Sequence, residues 1–282
     1  MNTKCGFVAV FGRPNAGKST LINALVGEKV SIVSKKAQTT RTKILGIYST
    51  DSAQVVLIDT PGIFAPSKAL EKKIVTQAKS AKGDFSIWVL DVTKPFEEIP
   101  KFITSTKFFV VLNKIDLISD AKLQEYIKSI PPSIKVLPIS AVTKAGLDEL
   151  RQEIETNLPE SPFLFDKDEM TDAPAKSYAS EITRETIFEL LSHELPYEIY
   201  VQSESFKNLD NGSIRIQQVI GVAKKSQKLI VVGHKGSMIK EIGTKSRLKM
   251  EEALSSKVHL FLFVKVHPNW MENEYVLKEL GL

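Results

Sequence analysis

Short apolar runs alternate with polar, amphipathic stretches along the first 158 residues. "GFVAVFG", "AQVVLIDT", "FSIWVLD", "KFFVVLNK" and "IKVLPIS" are apolar at both odd and even positions, the pattern of strands covered on both faces. "KSTLINALVG", "SKALEKKIVTQAKSA" and "GLDELRQEIETNL" lie between or after them and have helical spacing. Such alternation predicts a doubly wound α/β domain built on a mostly parallel sheet, with ligands at the carboxyl ends of the strands.

The rhythm then breaks. "PESPFLFDKDEMTDAPAKS" holds three prolines and no period, which predicts a linker. Beyond it come a helix ("SYASEITRETIFELLSHE"), strands ("PYEIYVQSES" and "GSIRIQQVIGVAK") and a short apolar run expected as a strand ("KLIVVG"). A helix ("SMIKEIGTKSRLKMEEALS"), a strand ("KVHLFLFVKV") and a final helix complete a smaller α+β domain. The expected division is 1–160, a linker over 161–176, and 177–282. Ile239, Ile242, Met250 and Leu254 form the expected core stripe of the long helix. Phe261 and Phe263 share one face of the last strand with His259 and Lys265, and packing is their expected role ahead of base stacking.

Composition narrows the class. Of 282 residues, 43% are hydrophobic and 25% charged, which excludes disorder. Cys5 is the only cysteine, which rules out an internal disulfide or a cysteine-built metal site and fits a reducing cytoplasm. No run approaches the ~20 apolar residues of a membrane span, while attachment to the inner face of the cell membrane stays open. The net charge of +5 is small, so any polyanion partner must be read from where the charge clusters.

"GRPNAGKST" satisfies G-x-x-x-x-G-K-[ST] between a predicted strand and a predicted helix. Gly12, Arg13, Pro14, Asn15, Ala16, Gly17, Lys18 and Ser19 then curl backbone amides around phosphate oxygens, and the helix offers its positive end. Lys18 brings a charge to the β- and γ-phosphates, and the Ser19 hydroxyl suits Mg2+. The plain alternative is a glycine turn between strand and helix.

Further motifs at strand ends argue against that. In "DTPG" (Asp59, Thr60, Pro61, Gly62), Asp59 can hold a magnesium-bound water and the Gly62 amide can meet the γ-phosphate. In "NKID" (Asn113, Lys114, Ile115, Asp116), the Asp116 carboxylate matches the two donors of guanine, Asn113 addresses the base's other edge, and the stem of Lys114 covers its face. Ser140 and Ala141 can add an amide toward guanine O6. These loops resemble a translation-factor-type GTPase domain, and "KAQTTR" at 36 to 41 is similar to that of the Era-like bacterial GTPases.

The polar segment 31–43 is expected to switch with nucleotide state, as is 59–68, and Thr40, or Thr39, would complete the magnesium shell. Ile63 stands where many small GTPases place a water-orienting glutamine. With that glutamine absent and Asn15 in the phosphate loop, the resemblance implies a K+ ion that neutralises charge in the transition state. The residues expected to carry hydrolysis are Lys18, Thr40, Asp59, Gly62 and Asn15. Between "VLDVTKP" and "KFFVVLNK" there is room for only one short helix, where Era-like chains usually carry a longer insertion.

In the second domain, Gly233, His234, Lys235 and Gly236 form a G-x-x-G tetrapeptide whose setting resembles a type II KH domain, which clamps about four single-stranded nucleotides. Nine cations lie between 215 and 249 (Arg215, Lys224, Lys225, Lys228, Lys235, Lys240, Lys245, Arg247, Lys249) against Glu241 alone. That excess suits phosphate tracking, with Lys224, Lys225 and Lys240 beside the loop. The resemblance implies a slow, potassium-stimulated cytoplasmic GTPase, expected as a monomer, that binds GTP or GDP and small-subunit ribosomal RNA near its 3′ end and acts in assembly of that subunit. The competing classes are a membrane-surface or signalling GTPase whose basic patch meets anionic lipid, and a binding module with a degenerate site.

Overall fold

The computed structural model describes residues 3–33, 41, 43–64, 66, 69–191 and 195–282. Thr39 and Thr40, with most of the expected switch 31–43, lie outside the described residues, as do 65, 67 and 68 of the segment 59–68. Two compact units result, Met1–Asp172 and Ala173–Leu282.

The first unit contains β1 (Lys4–Gly12), α1 (Lys18–Val26), β2 (Ile44–Ser49), β3 (Ala53–Asp59), α2 (Ala69–Lys79), β4 (Phe85–Asp91), α3 (Lys101–Thr104), β5 (Phe108–Asn113), α4 (Asp120–Lys128), β6 (Val136–Pro138) and α5 (Leu147–Asn157). The strands form one sheet in the order β2-β3-β1-β4-β5-β6, parallel except for β2, which runs against β3. Side-chain alternation sorts it into two cores. Val8, Val10, Ile87 and Val89 face the core shared with α1 and α5, whereas Ala9, Phe11, Trp88 and Leu90 face the one shared with α2, α3 and α4. Each fully buried large side chain contributes about 1.5–3 kcal/mol, so burial on both faces makes β1 a rigid base for the loop that follows it. The strand β2 is not among the apolar runs read from the sequence: it is a short edge strand, and its flanks are polar. The single short helix expected between β4 and β5 is α3.

The stretch expected as a linker is bonded to the first unit over much of its length. Gln54, fully buried on β3, donates from Nε2 to the Phe165 carbonyl at 2.9 Å and accepts at Oε1 from the amides of Leu164 and Phe165 at 2.8 and 3.0 Å. The Ile47 amide on β2 donates to the Met170 carbonyl at 2.8 Å.

The second unit contains α6 (Ala175–Leu190), β7 (Ile199–Asn208), β8 (Ile214–Val222), α7 (Lys225–Val232), α8 (Ser237–Leu254), β9 (Val258–Val266) and α9 (Glu274–Glu279). Its sheet has the order β7-β8-β9, with the first pair antiparallel and the second parallel. The helices α6, α7 and α8 bury Ile182, Ile187, Val231, Ile242 and Met250 against one face of it. Two expectations change. "KLIVVG" is the helix α7 rather than a strand: the backbone amide of Lys224 is held by Gln227 Oε1 at 2.8 Å at its start, and of its eight residues Gln227 and Val231, one turn apart, are buried. In the α8 stripe Ile242 and Met250 are fully buried and Leu254 packs at the edge, but Ile239 is half-buried and belongs to neither core.

Candidate functional site

The loop from Gly12 to Ser19 joins the central strand β1 to α1, where β3 flanks β1 on one side and β4 on the other and the strand order reverses. Gly17 has φ +92, and a Cβ there would stand 2.2 Å from the Asn113 amide nitrogen, so only glycine fits the conformation and the space. Asn15 has φ +63, in the left-handed region that asparagine tolerates. Lys18 is buried, and its Nζ donates to the carbonyls of Gly12 and Arg13 at 3.2 and 3.0 Å. Burial pushes its pKa down to about 8, with Asp59 opposing the fall. An ammonium so placed is poised to exchange two carbonyl partners for anionic oxygens. Arg13 points outward and pairs with Glu97 at 2.5 Å; both are well exposed, so that pair contributes little. Ala16 is part of the core.

The β3 end packs directly on this loop. Ser19 Oγ donates to Asp59 Oδ2 at 2.8 Å, which brings two hard oxygens together. Thr60 Oγ1 donates to the Val10 carbonyl at 2.7 Å, Gly62 lies against Pro14, Pro61 is buried, and the Ile63 amide donates to the Gly12 carbonyl at 3.0 Å. The Ile63 side chain is buried in the core between the sheet and α2, α3 and α4, away from any role in orienting water.

Asn113 holds the surrounding loops together. Its Nδ2 donates to the Ala16 carbonyl at 2.9 Å, and its Oδ1 accepts from the amides of Lys114 and Ala141 at 2.8 and 3.1 Å. One buried side chain thus ties the phosphate loop, "NKID" and "SA" together, and the Ala141 amide expected at guanine O6 is engaged by Asn113. The Ser140 hydroxyl accepts from the Thr143 amide at 3.0 Å and shapes the same turn. The Ile115 amide donates to the Ile139 carbonyl at 3.2 Å, and Asp116 is exposed in the turn after β5.

Asp91 was missed by sequence reasoning. It ends β4 directly beside Asn113 in the sheet register, its Oδ2 meets Lys114 Nζ at 2.5 Å, and its Oδ1 accepts from the Thr93 amide and hydroxyl at 3.0 and 2.6 Å. Against the upward push of burial, the hydrogen bonds from Lys114 and Thr93 hold its carboxyl below the usual range. Lys114 Nζ also donates to the Asn15 carbonyl at 2.8 Å, so Asp91 fixes a lysine that spans the two loops. The signal available in the sequence was an acid at the end of a buried strand, "WVLD".

The second unit presents a separate constellation. The G-x-x-G residues lie between α7 and α8: His234 to Gly236 make a tight turn in which Lys235 has φ +47, and His234 and Lys235 are exposed. A Cβ on Gly233 would stand 2.6 Å from that of Met238, whereas one on Gly236, at φ +81, would meet nothing within 4 Å. The backbone at Gly236 is therefore open to an approaching group. The charge is more focused than its count in sequence suggests. Lys245 pairs with Glu241 and Arg247 with Glu251 one turn away on α8, and Lys249 pairs with Glu185 and Glu189 of α6. Lys224, Lys225, Lys228, Lys235 and Lys240 make no ion pair among the described residues: Lys235 stands in the turn, Lys240 in the first turn of α8, and the other three at or near the start of α7. Exposed Leu229 and Ile230 on α7 add apolar surface beside them. Phe261 and Phe263 belong to neither core and are 44% and 48% exposed.

Among the described residues, no helix is long and apolar enough to cross a membrane, and no group of three or more His, Cys, Asp or Glu could hold a metal ion. The family described as 50S ribosome-binding GTPase matches residues 7–114, and the KH domain family matches residues 194–271. GTPase Era of Afipia carboxidovorans is 44% identical over 99% of this chain and 94% of its own length. Two crystal structures superpose on 99% of both chains: a tyrosine-to-alanine variant of Aquifex aeolicus Era bound to GDP and AlF4− at TM-score 0.93 and 37% identity, and Era bound to MgGDPNP and nucleotides 1506–1542 of 16S ribosomal RNA at TM-score 0.92 and 38% identity. With a phosphate loop, the "NKID" turn and a helix-flanked G-x-x-G in one chain, and relatives matched along almost the whole of it, this protein belongs to the Era family of GTPases.

Proposed function

We propose that this chain binds GTP with Mg2+, hydrolyses it slowly, and holds single-stranded RNA near the 3′ end of the small-subunit ribosomal RNA through its second unit, acting as a cytoplasmic monomer in assembly of that subunit. The observation that carries the RNA reading is the open backbone of Gly236 in a turn that holds Lys235, with four more lysines without ion pairs among the described residues on the helix before the turn and the helix after it. The Era complex with 16S nucleotides supports it over its full length. Mg2+ fits the hard oxygens of Ser19 and Asp59, the latter through water, and would neutralise the β- and γ-phosphates when bound. Thr40 is the proposed switch ligand that joins them. Lys18 would lie along the same phosphates, the Gly62 amide would meet the γ-phosphate, and Asp116 would select guanine.

With Ile63 buried in the core, charge neutralisation in the transition state is assigned to K+ held by Asn15. Hydrolysis should then run faster in potassium than in sodium at matched ionic strength, and Asn15→Ala should abolish the difference; equal rates in the two salts refute the ion. For RNA, Gly236→Asp places a carboxylate where phosphate would approach, and the space around Gly236 lets the chain fold. Titration of the variant with 3′-end ribosomal RNA oligonucleotides should show a loss of at least tenfold with GTP affinity unchanged. Wild-type RNA binding by the variant would refute the loop as the RNA site.

A further inference from the structure

The sheet of the second unit has a second face, away from α6, α7 and α8. One end of it is closed. The rings of Tyr200 and Trp270 lie 5.0 Å apart and are buried, the Tyr200 hydroxyl bonds His267 Nδ1 at 2.6 Å, and Trp270 Nε1 donates to the Glu198 carbonyl at 3.0 Å. The other end is open. Along β9 burial alternates, so that His259, Phe261, Phe263 and Lys265 point away from the helices. On β8, Arg215 lies opposite His259 in the register, and its guanidinium carbon sits 5.1 Å from the centre of the Phe261 ring. Of the acids beside this surface, Glu204 is already bound by Lys265 at 2.7 Å and Glu279 by Gln202.

We propose that this open sheet face is a second site for single-stranded nucleic acid, distinct from the G-x-x-G turn, where bases stack on Phe261 and Phe263 and Arg215 meets a phosphate. The two rings stand on one strand with one residue between them, so they project side by side, about 7 Å apart. Nearly half of each ring is in water, although neither ring is needed by a core. Beside Phe261 stand Arg215, Gln217 and His259, and beside Phe263 the buried Val219, so an apolar protein surface laid on the rings would bury Arg215 and His259 without an acid to meet them. A nucleic-acid strand supplies flat π-faces for the rings and phosphates for the cations together, the combination by which sheet surfaces hold single strands. A guanidinium stacked on a ring keeps its N–H groups in plane and free to reach a phosphate. Since β9 is an edge strand, its free edge separates this face from the helix side, and a strand longer than the loop can clamp could pass around it. The inference rests on the reading of this chain as an RNA binder and adds a separate contact to it.

The test uses the full chain and two fluorescent RNA probes, one of about four nucleotides, which the turn alone can fill, and one of about twelve. Phe261→Ala with Phe263→Ala should weaken the longer probe at least tenfold and leave the shorter within twofold, and Phe261→Tyr with Phe263→Tyr should restore the loss because it restores the rings. A 2-aminopurine in the longer probe should lose its stacking quench in the alanine pair and regain it in the tyrosine pair. Equal binding of the longer probe by wild type and the alanine pair overturns the site, and so does an equal loss for both probes, which would place the rings' effect at the turn. So does a loss confined to vesicles of phosphatidylcholine and phosphatidylglycerol, which would make lipid the occupant. If instead Gly236→Asp leaves the short probe bound as in wild type while the ring variants still govern the longer one, the turn reading fails and the sheet-face site stands.

Discussion

Lys18 carries its charge where the protein least favours it. Its pKa falls from 10.5 to about 8 because burial strips its ammonium of water, so between those values the unfolded chain binds more protons than the folded one. Stability of the nucleotide-free protein should therefore rise with pH across that window, by at most about 1.4 kcal/mol per unit from this group. Lys18→Met removes the term: it should exceed wild type in Tm at pH 7, and the gap should narrow toward pH 10. Parallel curves would contradict the burial of a charged lysine, and bound GTP should flatten the trend by giving the ammonium phosphate partners. The ion pair of Asp91 and Lys114 makes a second prediction at this scale. Asp91→Asn and Lys114→Met should each weaken GTP and GDP alike by about tenfold or more, the range expected for a charge-assisted hydrogen bond. The double variant should be no worse than Lys114→Met, since Asp91 acts through that lysine. Additive losses would show that Asp91 has a separate task.

Elements decide which of two glycines the fold needs and which its ligand needs. Gly233 ends α7 with φ +73 and faces Met238 across a gap too small for a Cβ, whereas at Gly236 a side chain would be strained by φ alone. Gly233→Ala should lower Tm by several degrees, while Gly236→Ala should cost about 1–2 kcal/mol of backbone strain and leave the fold intact. Equal effects on Tm would mean that the turn is not shaped as described. The same turn shows what a sequence can and cannot tell. The nucleotide loops were legible because each follows an apolar run long enough to be a buried strand, and the order of those runs placed the motifs at one end of the sheet. The helix α7 was not: "KLIVV" is rich in β-branched residues that favour strands, and its outcome rests on Gln227 and Val231 meeting the core one turn apart. Asp91 was hidden because its partner is adjacent only in the sheet register. The bonds by which Asn113 ties three loops together were hidden too, since sequence gives the motif without the loops that its side chain holds.

Across the whole molecule, charge counted along the sequence differs from charge left after pairing. The acids that neutralise Lys249 come from α6, sixty or more residues away in the chain, and no local reading would find them. RNA binding should follow the unpaired set. Every phosphate that a variant no longer neutralises lowers the slope of log affinity against log salt by roughly 0.7 for a single strand, so Lys224→Ala with Lys225→Ala should reduce it by about 1.4. Lys245→Ala with Arg247→Ala should change it little, and an equal change in both pairs would refute the focused patch. Gln54 has a consequence for anyone who wishes to produce the nucleotide-binding unit alone. A chain stopped at Glu160, where the apolar rhythm ends, would leave that buried amide without the three backbone bonds it makes to Leu164 and Phe165, at a cost of about 1–3 kcal/mol for each unmet group. A chain that runs to Asp172 keeps them, so the shorter fragment should precipitate or melt early where the longer one stays in solution.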